Sequence, residues 1–405
     1  MFDLSKHPYF EKYTDEKSGV ESYILKERVA GLQMHFYFAQ PSVTSDGKYL
    51  WVVCSNPPAR YRTLALVCLD PENPSIKHFP NAFPVDMPCL THEEDGVYFG
   101  MGSAVYKLEM NGNLTKVIEV DPEFIHYRPL TRLFTDASIS CDGKYIVLDM
   151  EIACKTYVAL GDLKTGEVKL LNKFGRRYNH AAFSSTKPNL LLIDQDWWRD
   201  TQSGEYFPID NRIWLMNTEG TMFRPLQPNS FSGRDGAETS HDYWSGDGWL
   251  CWSDYFLGAH ECNVDTGEIN RVWRRPICHS HSSYDRRMFV GDQTPYTWKT
   301  KPCQTLFYDR ETNKEIEIFS SLPCPTSGRD YYHCDPHPQF CAKDSLIVST
   351  TTVNGGTVDV AITPVEPLLE KCRSNGTVVV ERPTEGPDHS SWVDDIKVMK
   401  FKEMP

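Results

Sequence analysis

A short turn followed by an apolar strand recurs seven times along this chain of 405 residues. The copies are SDGKYLWVV from Ser45, EEDGVYFGM from Glu93, CDGKYIVLD from Cys141, KPNLLLIDQ from Lys187, GDGWLCWSD from Gly246, YDRRMFVGD from Tyr284 and AKDSLIVST from Ala342. With Gly47, Gly96, Gly143, Asn189, Gly248, Arg286 and Asp344 as markers, the gaps are 49, 47, 46, 59, 38 and 58 residues. A spacing of about 50 residues is that of a four-stranded propeller blade. Behind each marker a second strand runs into a tight turn and a third strand, as in YVALGDLKTGEVKLLNK and AVYKLEMNGNLTKVIEV. Their Gly- and Asn-rich turns supply the positive-φ residues that hairpins need. Helical periodicity longer than two turns is almost absent. The reading is an all-β, seven-bladed β-propeller; a pair of β-sandwiches would also use short strands but leaves the sevenfold count without a cause.

A propeller closes without free edges when its termini share a blade. The lone strands ESYILKE at 22–28 and VDDIKVMKF at 393–401 are expected to do this. The whole chain, 1–405, then reads as one domain. The wide gaps mark insertions at 195–235 and 294–335, expected to be long functional loops. Residues 364–390, rich in Pro, Glu and Gly, are expected to form a surface excursion.

Charge narrows the partners. With 42 Lys and Arg against 55 Asp and Glu, the net charge is −13. That argues against nucleic acid and anionic membranes, which need a basic surface, but not against an anionic small substrate in a local basic pocket. No apolar run is long enough for a membrane helix. The N-terminus lacks a signal-peptide layout, so the 13 cysteines are expected to be reduced thiols in a cytoplasmic protein. Oligomeric state is not legible.

The histidines share a phase. His241 stands eight residues before Trp249, His279 eight before Arg287, and His337 eight before Ser345. Each falls at the start of an innermost strand, so three successive blades should converge on one end of the central channel. His180, in NHAAF, is nearly in phase, and His35 holds a similar place in the first blade. Further candidate ligands flank them. CHSHSS adds His281 to His279, and YYHCDPHPQF adds His333 and Asp335 to His337, all spaced by two so that a strand would aim them to one side. Imidazole with carboxylate suits Zn²⁺, Mn²⁺ or Fe²⁺ rather than Mg²⁺ or Ca²⁺. Cys278 and Cys334, next to these residues, should point away. No Gly-x-Ser-x-Gly elbow, Gly-x-Gly-x-x-Gly or Walker loop is present.

At these residues the chain resembles oligogalacturonate lyase, a seven-bladed propeller among the pectate-degrading polysaccharide lyases. The resemblance rests on NHAAF at 179–183, DNRIW at 210–214, SHDYW at 240–244, CHSHSSYDRRMFVGD at 278–292 and DPHPQF at 335–340. It implies a divalent metal, Mn²⁺ first, with His279 and His337 as ligands. The family has His where this chain has Asp335, so the set is completed by Asp335 or His333. The resemblance also implies His241 as the proton-abstracting base, with His180 as the substitute, and Arg212 as a substrate-binding arginine. The insertion DQDWWRDTQSGEYF adds Trp197, Trp198 and Arg199 as sugar contacts, with His281 as a further substrate neighbour.

The implied reaction is β-elimination on a short uronate-containing oligosaccharide, giving a 4,5-unsaturated uronate. The proton at C5 is weakly acidic, so cation charge near the carboxylate and a neutral imidazole base are what such a step needs. Two other readings use the same residues. One is a metal-dependent propeller enzyme that hydrolyses or epimerises a sugar acid; the other is a non-catalytic propeller scaffold.

Overall fold

The repeated turn has a local cause. Thr44, Ser140, Ser245 and Ser283 each donate a hydroxyl hydrogen bond of 2.6–2.8 Å to the aspartate two residues on: Asp46, Asp142, Asp247 and Asp285. Side chains of this kind hold a turn without help from the sheet. The next residue is left-handed, with φ of 72° at Gly47, 70° at Gly143, 86° at Gly248 and 59° at Arg286. Arg286 has no glycine freedom there. Its guanidinium lies 3.9 Å from the Trp249 ring centroid and pairs with Asp247 and Glu261 of the preceding blade, contacts that offset the ~1–2 kcal/mol cost of left-handed backbone.

The computed structural model describes residues 2–152, 155–200, 202–226, 239–293, 303–325, 334–374 and 377–378. They form seven antiparallel blades in chain order. Blade 1 is Leu32–Met34, Tyr49–Ser55, Arg62–Cys68 and Ser75–Phe79. Blade 2 is Cys89–Leu90, Gly96–Met101, Ala104–Glu109 and Leu114–Glu119. Blade 3 is Tyr145–Ile152, Lys155–Asp162 and Val168–Phe174, with a single bridge from Ile139 to Ile146 at the inner position. Blade 4 is Tyr178–Phe183, Leu190–Gln195, Ile213–Asn217 and Phe223–Pro225. Blade 5 is Thr239–Trp244, Leu250–Asp254, Gly258–Cys262 and Ile269–Trp273. Blade 6 is Ser280–Ser282, Met288–Gln293, Cys303–Asp309 and Lys314–Leu322, with Thr377–Val378 added at its outer edge. Blade 7 takes Gln339–Cys341, Leu346–Thr351 and Asp359–Pro364 from the C-terminal part.

The second strand of each blade packs against a neighbouring blade on both faces, which is why these runs are apolar without alternation. Leu50 to Ser55, Leu191 to Gln195 and Leu346 to Thr351 are buried at every position. Between blades 1 and 2 the filling is aromatic: Phe36, Phe38, Trp51, Phe79 and Phe99 form one cluster. Burying each contributes about 1.5–3 kcal/mol.

Ring closure uses the N-terminus. Glu21–Leu25 pairs with Asp359–Pro364, Tyr23 opposite Ile362 and Ile24 opposite Ala361. Phe10–Thr14 adds a fifth strand outside it, which the sequence reading missed. The expected partner at 393–401 lies outside the described residues. His35 acts as a latch across the seam: one ring nitrogen lies 3.0 Å from the Pro336 carbonyl and the other 2.9 Å from the Gln339 amide.

Two expectations are corrected. Val365–Ser374, placed in a surface excursion, is an α-helix. Val365, Leu368, Leu369 and Cys372 make an i, i+3, i+4, i+7 stripe that packs on Phe307, Ile316 and Phe319 of blade 6. Pro367 falls in the first turn, where a missing N–H costs nothing. The segments 195–235 and 294–335 are not loops throughout, since they contain outer strands of blades 4 and 6. The surplus in blade 4 is a hairpin, Trp198–Arg199 against Tyr206–Phe207.

Candidate active site at the channel mouth

The inner strands of blades 4 and 5 are each interrupted by a β-bulge. Pairing register slips between Asn179 and Ala182, and between Ser240 and Tyr243. His180 and His241 occupy these bulges with φ of 51° and 52°, and His337, just ahead of the inner strand of blade 7, has φ of 44°. A bulge re-aims the side chain it carries. Left-handed backbone favours glycine, so histidine at three such points is strain retained for its side chain. His180 and His241 both line a cavity of about 90 Å³ in the channel, together with Tyr37, Asp136, Asp194, Arg212 and Asp242.

Buried aspartates hold this mouth together. Asp292, from the second strand of blade 6, accepts the His279 N–H at 3.0 Å, the His279 Nδ1–H at 3.0 Å and the His337 N–H at 3.0 Å. One carboxylate thus orders two blades and aims the His279 ring through its Nδ1. Asp149, on the second strand of blade 3, does the same three blades earlier, accepting from Thr135 N–H, the Thr135 hydroxyl and Ala181 N–H in the blade 4 bulge. In four of the repeats the second strand reaches a buried aspartate: Asp149, Asp194, Asp254 and Asp292. That regularity stands in the sequence, where the quoted copies read VLD, LID, WSD and VGD, and the sequence reading passed over it.

The imidazoles converge as the phase argument requires. Ring centroids of His241 and His279 are 4.0 Å apart, and those of His279 and His337 4.1 Å. Tyr37 from blade 1 stands among them, with centroids 4.9 Å from His337, 6.1 Å from His279 and 6.2 Å from His180. His241 Nδ1 lies 2.7 Å from the Cys278 carbonyl, which makes Nδ1 the protonated nitrogen and Nε2 the lone-pair one. Burial, reinforced by the neighbouring His279, holds His241 well below the usual imidazole range, so it stays neutral. At His279 burial also opposes charge, but the Asp292 carboxylate outweighs it and the net shift is upward.

Among the described residues, His241, Cys278 and His279 are the one set of three His, Cys, Asp or Glu groups whose donor atoms all lie within 4.8 Å of one another. The expectation that Cys278 points away is therefore corrected. Strand alternation does not govern it, because the inner strand of blade 6 begins only at Ser280. Two imidazole donors and a sulfur, with Asp292 behind one of them, are a donor set that fits a divalent transition metal.

The remaining expected residues are spread more widely. His333 lies outside the described residues. Asp335 is partly buried ahead of His337 but outside the three-residue donor set. His281 is in the blade packing, accepting the Phe340 N–H at 3.1 Å and stacking on Tyr243; burial lowers it to about 3. Arg212 lines the cavity, but its guanidinium is held by Asp194 at 2.7 Å and by Asp196 at 3.6 Å. Burial, against Arg212 and helped by Asp242, pushes Asp194 up. Trp197, 51% exposed, precedes the blade 4 hairpin and stacks on Tyr206. Trp198 faces Phe207, and Arg199 bonds the Gly204 carbonyl on the same hairpin.

Sequence reasoning also missed Asp136 and Tyr37. Asp136 Oδ2 lies 3.0 Å from His180 Nδ1, and it sits seven residues before the marker Gly143, as His241 does before Gly248. The histidine phase, extended to blade 3, would have found it.

The chain matches two solved structures over 89% of its length and 97% of theirs. One is oligogalacturonate lyase in complex with manganese, at a TM-score of 0.70 and 18% identity. The other is oligogalacturonate lyase from Vibrio parahaemolyticus, at 0.71 and 18%. The fold is that of oligogalacturonate lyase. At 18% identity the likeness is one of fold. No protein-family model and no curated protein matches the chain.

Proposed function

We propose that this protein is a metal-dependent lyase that cleaves short uronate-containing oligosaccharides by β-elimination, as a cytoplasmic enzyme. The observation that carries the reading is His241: a neutral imidazole, its tautomer fixed by the Cys278 carbonyl, bulged into a cavity beside a His–Cys donor set. His279 and Cys278 of that donor set would hold the ion, joined by His337, whose ring centroid lies 4.1 Å from that of His279, so that His241, the third member of the set, is left as the base; Mn²⁺ is the ion named for a structure of the same fold. A divalent cation there would neutralise the substrate carboxylate and stabilise charge developing at C5.

The chain's own residues do the rest. His241 Nε2 takes the C5 proton; the C–H electron pair forms the C4–C5 double bond as the C4–O bond breaks. The departing oxygen keeps the C4–O electron pair and takes a proton from water; His180, its ring fixed by Asp136, and Tyr37 line the same cavity. Arg212 acts through Asp194 and Asp242 to shape the cavity floor, and the Trp197 hairpin offers aromatic surface to further sugar units.

The direct test is incubation with uronate oligosaccharides, with and without Mn²⁺, following the ultraviolet absorbance of the unsaturated product. Metal-dependent growth of that band is expected; its absence across the panel overturns the reading. Cys278 favours one second reading. Two imidazoles and a thiolate also suit Zn²⁺ and an activated water, which would yield a saturated, hydrolysed product with no such band.

A further inference from the structure

Arg62 begins the third strand of blade 1, opposite Ser55. Its guanidinium is within electrostatic reach of Asp86, Cys334 and Asp136, the partner of His180, although Arg62 itself does not line the His180 cavity. The other arginines of the ring's inner parts are paired: Arg132 with Glu151, Arg212 with Asp194, Arg275 with Glu315 and Arg286 with Asp247. Arg62 has no hydrogen bond or ion pair from its side chain among the described residues, although it is only partly exposed. Burial lowers it against the pull of those acids. A half-buried cation without a partner is costly, and a ligand anion would relieve that cost.

The acids beside it do not fill the role. Asp136 is already bonded to His180. Asp86 accepts the Phe134 N–H, and its Oδ2 is buried with no partner. Burial, reinforced by Asp149 and Asp136, raises Asp86 to about 8, so at neutral pH it carries a proton and offers a donor. Gly100 makes room for it, since a Cβ there would sit 3.1 Å from Asp86 Oδ2. Next in the chain to Arg62 is Tyr61, 74% exposed, with its ring 6.3 Å from that of Phe83, 41% exposed. A fork of N–H donors next in the chain to an exposed aromatic pair suits a carboxylate carried on a sugar ring.

We propose that Arg62, with Tyr61 and Phe83, forms a subsite on blades 1 and 2 that binds the carboxylate of an acidic sugar unit. The inference rests on the reading of the mouth as a site for uronides. It assigns carboxylate recognition to Arg62 because Arg212 is already occupied by Asp194 and Asp196.

The test is calorimetric titration of the Mn²⁺-loaded protein with trigalacturonate, with trimannuronate and with the methyl ester of each. Arg62→Gln should weaken binding of at least one acid roughly 10–100-fold and leave the esters and the metal content unchanged. Arg62→Lys should recover only part of the loss, because a point charge cannot grip bidentately; Tyr61→Ala should weaken acid and ester alike. Equal affinity in wild type and Arg62→Gln, equal loss for acid and ester, or a wild type that binds neither acid overturns the subsite. The product band read on the same samples separates the two ideas. Loss of acid binding in Arg62→Gln with no unsaturated product from the wild type keeps the subsite and refutes only the elimination.

Discussion

The bulges of blades 4 and 5 carry the same residue in the same backbone and differ in what that residue meets. His180 and His241 have φ of 51° and 52° and interrupt their strands at the same point. His180 Nδ1 faces the carboxylate of Asp136; His241 Nδ1 faces the neutral carbonyl of Cys278. The propeller repeat therefore supplies a position, and the neighbouring blade supplies the chemistry. Beside a carbonyl and a second imidazole, His241 stays neutral with a free lone pair. Beside a carboxylate, His180 is an oriented ring whose partner belongs to the acid and arginine wall of blades 1 to 4.

The largest expected effect separates the two directly. His241→Ala should lower turnover roughly 10²–10⁴-fold while metal content by elemental analysis stays at the wild-type level. If the variant loses its metal, His241 is a ligand rather than the base, and the two bulges differ in a way other than the one argued. Asp292→Asn comes next. It removes the charge and turns one of the two oxygens that order His279 and His337 into an NH2 donor, so metal affinity by competitive dialysis should fall about 10–100-fold. Asp149→Asn, which alters the support of Thr135 and the blade 4 bulge but touches neither His279 nor His337, should leave metal affinity unchanged. Asp136→Asn should cost about tenfold in kcat, the worth of one charge-assisted hydrogen bond, with KM and metal content held. A loss as large as that of His241→Ala would make His180 the base.

The smallest effect tests the shared backbone. Glycine tolerates positive φ and alanine does not. His180→Gly should thus be more stable than His180→Ala by about 1 kcal/mol in denaturant unfolding, and the same increment should appear at His241. Unequal increments would mean that the bulges are not equivalent and that strain is not what the histidines have in common.

How much of this was legible follows from the physics of the repeat. A turn that holds itself, as Ser140 with Asp142 does, leaves a local mark in sequence, so the seven blades could be counted. Phase along the repeat gave the convergence of His241, His279 and His337 because rotation about the ring axis preserves it. Strand alternation failed where the chain is not yet a strand, and Cys278 was misplaced for that reason. Partners from other blades leave no spacing to read. Nothing near Arg62 in sequence announces Asp136, and nothing near Arg212 shows that Asp194 occupies it. The helix at Val365–Ser374 was obscured by its own Pro and Glu residues, although its apolar stripe is regular.

The central claim is that His241 removes a proton from a uronate in a site that other residues load with metal. It is tested most directly by the unsaturated-product assay run on three Mn²⁺-loaded proteins with equal metal content: wild type, His180→Ala and His241→Ala. Product is expected from the wild type, slower product from His180→Ala, and a rate lowered by roughly two orders of magnitude or more from His241→Ala. Product at the wild-type rate from metal-replete His241→Ala would contradict it.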